Sequence, residues 1–156
     1  YEYVIWNSNI KNVFDSRVWH LPRPLDTERM ASLAQAFVGK QDFCSYMSAG
    51  SKIIDTVRTV KYMNVTRDGD YIRINVAADG FLYNMVRIIV GTAVEVSDGR
   101  INPQDTEKIL LSTNKSIPKI FINRIVFSIS AVGFPRSKSE INVTESPVNS
   151  DKYACV

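Results

Sequence analysis

The sequence predicts an α+β domain: an antiparallel or mixed sheet with helices packed on one face. Three observations carry that expectation. The hydrophobic pattern changes period along the chain in the order strand, helix, strand, strand, helix, helix, strand. Asp68-Gly69 joins two runs of alternating apolar and polar residues, which is a strong hairpin signal. Residues 26–39 and 81–96 instead repeat their apolar positions at three and four, as helices do.

In chain order, Tyr1, Tyr3 and Ile5 share one face of the first strand, while Val4 and Trp6 occupy the other. Two largely apolar faces predict an interior strand. The chain opens directly on this strand with no Met, so further sequence is expected upstream. Residues 7–23 read as an irregular connection marked by Trp19, His20 and the Pro22/Pro24 pair. Asp26 is an N-cap with Glu28 in the first turn. Met30, Leu33, Ala34, Phe37 and Val38 form the buried stripe of that helix, which Gly39 closes. Residues 42–46 follow as a loop carrying two aromatics.

The hairpin places residues 57–66 against residues 71–78. Ile72, Ile74, Val76 and Ala78 face the core, and Tyr71, Arg73 and Asn75 face away. That second face is either a solvated surface or a sheet that holds RNA. Asn102-Pro103 caps a shorter helix reaching about residue 112. Residues 120–132 alternate as a last strand, so residues 1–133 make the domain. Residues 134–156 are rich in Ser, Asn, Lys, Glu and Pro and read as a flexible tail.

At 156 residues the chain is long enough for one real core. No apolar run approaches a membrane span, and no basic-then-apolar leader stands at the start. Cys44 and Cys155 do not make a disulfide framework, and a cytoplasmic setting is expected. His20 is the only histidine, so a His-based metal site or triad is not expected. The net charge of +3 is spread along the chain, which suits a partner with phosphates without demanding one.

The segment at residues 81–96 raises the sharpest question. Leu82, Met85, Val86, Ile89, Ala93 and Val96 fall on one face, and Arg87 is the only charge between Asp79 and Glu95. Gly80, Asn84, Arg87 and Gly91 share the opposite stripe. A guanidinium in apolar surroundings needs an anionic partner. Taken alone, a carboxylate of the same domain would serve.

The run Phe81-Leu-Tyr-Asn-Met-Val-Arg87-Ile-Ile-Val-Gly91 resembles a signature of the tRNA pseudouridine synthase A (TruA) family. Other pieces agree in order: Tyr1-Glu-Tyr3 with Ile5, Pro24-Leu-Asp26 with Met30, Gly39 with Asp42-Phe43, and Asp79-Gly80. The resemblance implies a pseudouridine synthase-like fold, of which this chain is the C-terminal half. It implies isomerisation of uridine to pseudouridine in the anticodon stem-loop of tRNA, with no cofactor and no metal, by a homodimer. It further implies that Tyr1 stacks on the target base and that Arg87 pairs with a catalytic aspartate. The family carries that aspartate in an Arg-Thr-Asp-x-Gly-Val-His type motif, which this sequence does not contain. Arg67-Asp68-Gly69 is a superficial lookalike in a hairpin turn, and Asp42 and Asp79 match positions of structural role. The chain alone is therefore expected to be inactive. Lys52, Arg58 and Arg73 are the candidate phosphate contacts. The alternative reading is a stand-alone, non-catalytic RNA-binding module derived from the same fold.

Overall fold

The computed structural model describes residues 1–13, 18–48 and 53–111. Lys52, the expected last strand at residues 120–132 and the tail at 134–156 lie outside those residues. Within them, five strands form one mixed sheet: β1 (Glu2–Trp6), β2 (Trp19–His20), β3 (Gly39–Asp42), β4 (Val57–Asp68) and β5 (Tyr71–Ala78). Their spatial order is β2-β1-β5-β4-β3, with β1 and β2 parallel and every other pair antiparallel. Four α-helices, α1 (Thr27–Ser32), α2 (Ala34–Phe37), α3 (Met85–Ser97) and α4 (Pro103–Leu111), and one 3₁₀ turn complete the described elements. The helices lie on one face of the sheet, as an α+β domain requires.

Side-chain alternation explains which face they cover. Tyr3 and Ile5 of β1 sit opposite Ile74 and Ile72 of β5, and all four are buried. Val76 of β5 and Met63 of β4 extend the same layer. The opposite face carries Tyr71, Arg73 and Asn75, half-exposed, as the period of two predicts. The hairpin turns through Gly69, whose φ of +56° is the left-handed conformation a tight loop needs. β1 is interior, as expected, although its outer neighbour β2 contributes only two residues. Such a short parallel partner leaves no periodicity to read within an irregular connection.

Asp26 caps α1 as expected: its carboxylate accepts from the backbone N–H groups of Glu28 and Arg29, both at 3.0 Å. Met30, Leu33 and Phe37 are fully buried. The helix nevertheless stops earlier than its apolar stripe suggested. Val38 is extended and exposed, and Gly39 at φ +111° opens β3 rather than merely closing a helix. The Gln41 side-chain amide donates to the carbonyls of Ala36 and Val38, satisfying the end of α2 from within the strand. The expected loop at 42–46 is in fact the end of β3 followed by a 3₁₀ turn, Cys44–Tyr46. Phe37, Phe43 and Tyr46 pack there as one aromatic cluster.

α3 is buried nearly all round, which places it at the centre of the helical layer. Its one buried hydroxyl, on Thr92, donates to the Ile88 carbonyl at 2.9 Å. α1 is tied to the far end of α3, where the Asp26 backbone N–H donates to the Ser97 hydroxyl. Arg23 bridges Asp98 in the same place, at 2.8 Å. Asn102 and Pro103 begin α4 as predicted, and α4 packs on the 3₁₀ turn and β3. No helix among the described residues is long and apolar enough to cross a membrane.

Candidate active site

The connection from β5 into α3 differs from the sequence reading, and the difference builds the site. The expected helix over 81–96 begins four residues late, at Met85. Asn84 takes the left-handed conformation at φ +59°, so residues 81–84 cannot continue a helix backward. The Tyr83 carbonyl turns outward and accepts the Ser48 backbone N–H at 3.1 Å. Gly80 therefore shares no helical stripe with Arg87. It lies instead against Arg58, where an added Cβ would come within 3.3 Å of Nε.

Arg87 is the third residue of α3 and is half-exposed, whereas the residues on either side are buried. Its Nη1 donates to the Asn84 side-chain oxygen at 3.0 Å. The Asn84 amide nitrogen in turn donates to the Ser48 hydroxyl at 3.1 Å. A guanidinium only donates, so the orientation of the amide follows: oxygen toward Arg87, nitrogen toward Ser48. Among the described residues no carboxylate lies within ion-pair distance of Arg87. Glu95, the other charge of α3, is engaged by Arg100 at 3.0 Å and stands roughly 12 Å farther along the helix.

Tyr1, just before β1, and Tyr3, within it, approach this corner differently. Tyr1 is 52% exposed and meets the ring of Phe81 edge-on, with centroids 4.8 Å apart. Its backbone is held in the sheet by a reciprocal pair of 2.9 Å hydrogen bonds with Val76. Tyr3 is only 3% exposed. Burial pushes its hydroxyl far above the ordinary phenol range, and the charge of Arg87 pulls partly back. Tyr3 is therefore a neutral group within the electrostatic reach of Arg87, while Tyr1 offers an aromatic ring to solvent.

The remaining expected residues separate. Arg58 lies at the same end of the sheet as the β5–α3 connection, with Nη1 donating to the carbonyls of Asp55 and Val57. Arg73 projects from the opposite face of the sheet, 3.5 Å from Glu2 and with its guanidinium 5.4 Å from the Tyr71 ring centroid. Asp68 is exposed beside the hairpin loop, at the far end of β5 from α3, roughly 23 Å along the strand. Asp42 and Asp79 hold backbone. The Asp42 carboxylate accepts from the Cys44 N–H and the Thr56 hydroxyl. The Thr59 N–H, donating at 2.9 Å, holds the Asp79 carboxyl below the usual carboxylate range.

This corner has a defined chemical capacity. An amide orients the guanidinium without neutralising it, and its other N–H groups take no partner among the described residues. A carboxylate arriving there would meet a pre-set fork that keeps it ionised. Nucleophilic or acid–base chemistry at Arg87 needs that carboxylate to come from elsewhere. Among the described residues no three His, Cys, Asp or Glu side chains gather as metal ligands. The sequence reading missed the Ser48–Asn84 link and the placement of Tyr3. The available signal was Asn84, three residues before Arg87 on one stripe.

A family model described as tRNA pseudouridine synthase matches residues 33–126, which include Ser48, Asn84 and Arg87. The chain is 42% identical over 116 residues to a tRNA pseudouridine synthase A of Brevibacillus brevis, covering 74% of this chain and 48% of that protein. It is 41% identical over 116 residues to one of Moorella thermoacetica, covering 74% and 47%. It is 40% identical over 111 residues to one of Clostridium botulinum, covering 70% and 46%. The chain thus spans about half the length of the curated relatives it matches.

Proposed function

The chain belongs to the tRNA pseudouridine synthase family, and from that premise we propose that it forms the Tyr1–Arg87 wall of a pocket that isomerises uridine to pseudouridine in the anticodon stem-loop of tRNA. Arg87 carries the reading. Its guanidinium is half-exposed on an otherwise buried helix and is oriented by an amide, with no carboxylate of the described residues beside it. Such a charge is prepared for an anion that arrives from outside this set of residues. The proposed anion is the catalytic aspartate, supplied by sequence beyond these 156 residues and kept ionised by the guanidinium.

Tyr1 would stack on the extruded uracil, a contact that supplies about 1–3 kcal/mol per base. That offsets the few kcal/mol of unstacking needed to bring the base into the pocket. Tyr3 stays neutral and buried within the electrostatic reach of Arg87. The reaction moves a base between two bonds to one sugar and needs neither cofactor nor metal in this reading. A homodimer in the cytoplasm, with Lys52, Arg58 and Arg73 contributing to the phosphate field, completes the proposal.

The test is pseudouridine formation on a tRNA transcript. The chain alone is expected to give none. Joined to the aspartate-bearing N-terminal portion of the Brevibacillus brevis relative, it is expected to modify uridines of the anticodon stem-loop. Turnover by the chain alone would overturn the claim that the nucleophile lies outside it. The rival reading, a non-catalytic RNA-binding module, draws on the same lack of a carboxylate beside Arg87. Tight tRNA binding without turnover in the joined form would favour it.

A further inference from the structure

We propose that Asn84 is a positioning residue for Arg87, anchored in turn by Ser48, and that it is an amide because a carboxylate there would compete for the charge of Arg87. The inference rests on the reading of Arg87 given above. Three observations support it. Asn84 is the only non-glycine residue with positive φ among the described residues, so the backbone is bent to place this side chain. It is buried and sits at the N-cap position of α3, yet its side chain caps no backbone N–H. The side chain is committed instead to Arg87 Nη1 and the Ser48 hydroxyl.

The chemistry explains the choice of amide. At a helix N-cap, aspartate and asparagine serve almost equally well, and both tolerate the left-handed conformation. An aspartate at 84 would accept from Arg87 in the same geometry. It would also neutralise the guanidinium and occupy the charge that an incoming carboxylate needs. It would further lose the N–H donated to Ser48. An amide fixes direction and leaves the full positive charge available. Ser48 completes the link because its backbone N–H and hydroxyl hold residues 83 and 84 together.

Two measurements test this. The first uses the chain as it stands and follows rotation of the Arg87 guanidinium about its Nε–Cζ bond by ¹⁵N-detected NMR exchange. Asn84→Gly retains the backbone conformation and removes the amide. It should speed rotation by about tenfold or more, the factor expected for one hydrogen bond to a charged group. Ser48→Ala should produce a smaller change in the same direction. Unchanged rotation in Asn84→Gly would overturn the contact.

The second uses the joined, tRNA-modifying form. Asn84→Gly should lower kcat about a hundredfold, the scale for a misplaced catalytic group, with little change in KM. Asn84→Asp should shift the acid limb of the kcat profile to higher pH, because a partly neutralised Arg87 stabilises the catalytic carboxylate less. A purely structural role would leave that limb in place. Faster rotation with an unchanged kcat in Asn84→Gly would end the positioning claim. Normal turnover in an Arg87→Met variant would instead overturn the functional reading, whatever the Asn84 variants do.

Discussion

Arg87→Met separates a catalytic charge from a structural one, because the two make opposite demands on stability. Arg87 is the third residue of α3, where the positive end of the helix dipole disfavours a cation, and no acidic residue stands in that first turn. Removing the charge should contribute about 0.3–1 kcal/mol in favour of the fold. Against this stands the loss of one charge-assisted hydrogen bond to Asn84 at 3.0 Å. For a half-exposed group, that bond is worth about 1 kcal/mol after solvent screening. Methionine matches arginine in helix propensity and keeps an apolar stem over the same neighbours. The terms nearly cancel, so urea unfolding followed by circular dichroism should place the variant within about 1 kcal/mol of the parent chain. In the joined form, kcat/KM should fall about a hundredfold or more, as when a fixed charge-stabilising donor is removed. A destabilisation of about 3–5 kcal/mol is the signature of a broken buried ion pair. That result would make Arg87 a structural residue and refute the reasoning.

Binding of the joined form to tRNA should weaken steeply with salt, log K falling by about 0.7–0.9 per phosphate neutralised for each tenfold rise in salt; a flat response in a filter-binding titration would argue against tRNA. Asp79 has a depressed carboxyl pKa, so its contribution is present above the ordinary aspartate value, about 3.9, and is lost as pH falls through the lower folded value. Asp79→Asn should therefore flatten the acid limb of stability against pH, and an identical limb in both proteins would remove the Thr59 contact as its cause. Gly39→Ala meets no atom within 4 Å, so its cost is backbone strain at φ +111°, about 1–3 kcal/mol in a thermal melt. Ile89→Ala empties a fully buried position and should cost about 2–5 kcal/mol by urea titration; a loss below 1 kcal/mol would show the helical layer to be loosely packed.

The layer structure was legible because it rests on local periodicity. The alternation Ile72, Ile74, Val76 and the cap at Asp26 each express one short-range rule, and the fold follows both. The departures occur where a distant partner overrides that rule. Val38 continued an apolar helical stripe, but Gly39 pairs with Val60 of β4, and the sheet claims the chain there. Leu82 fitted the helical face of α3, yet it lies before the helix begins, in a connection whose next two residues are held by Ser48, more than thirty residues earlier. No window of sequence contains both ends of such a contact. The corner around Arg87 was half legible for the same reason: the stripe of Asn84 and Arg87 could be seen, and the hydroxyl that holds it could not.

Three local rules are broken within four residues. A helix start ordinarily takes a side-chain cap, and Asn84 supplies none. The first turn ordinarily favours an anion, and α3 carries a cation. A non-glycine residue ordinarily avoids positive φ, and Asn84 adopts it. Each departure costs on the order of 1 kcal/mol, and none is repaired by a neighbouring carboxylate among the described residues. Here they converge on one guanidinium and leave it oriented, charged and half-exposed at the edge of a well-packed layer. A sequence otherwise consistent with its structure retains conflicts of this kind where function requires them. An aspartate at position 84 would relieve the electrostatic cost at once, and the amide found there accords with the proposal that the charge on Arg87 is kept for another carboxylate.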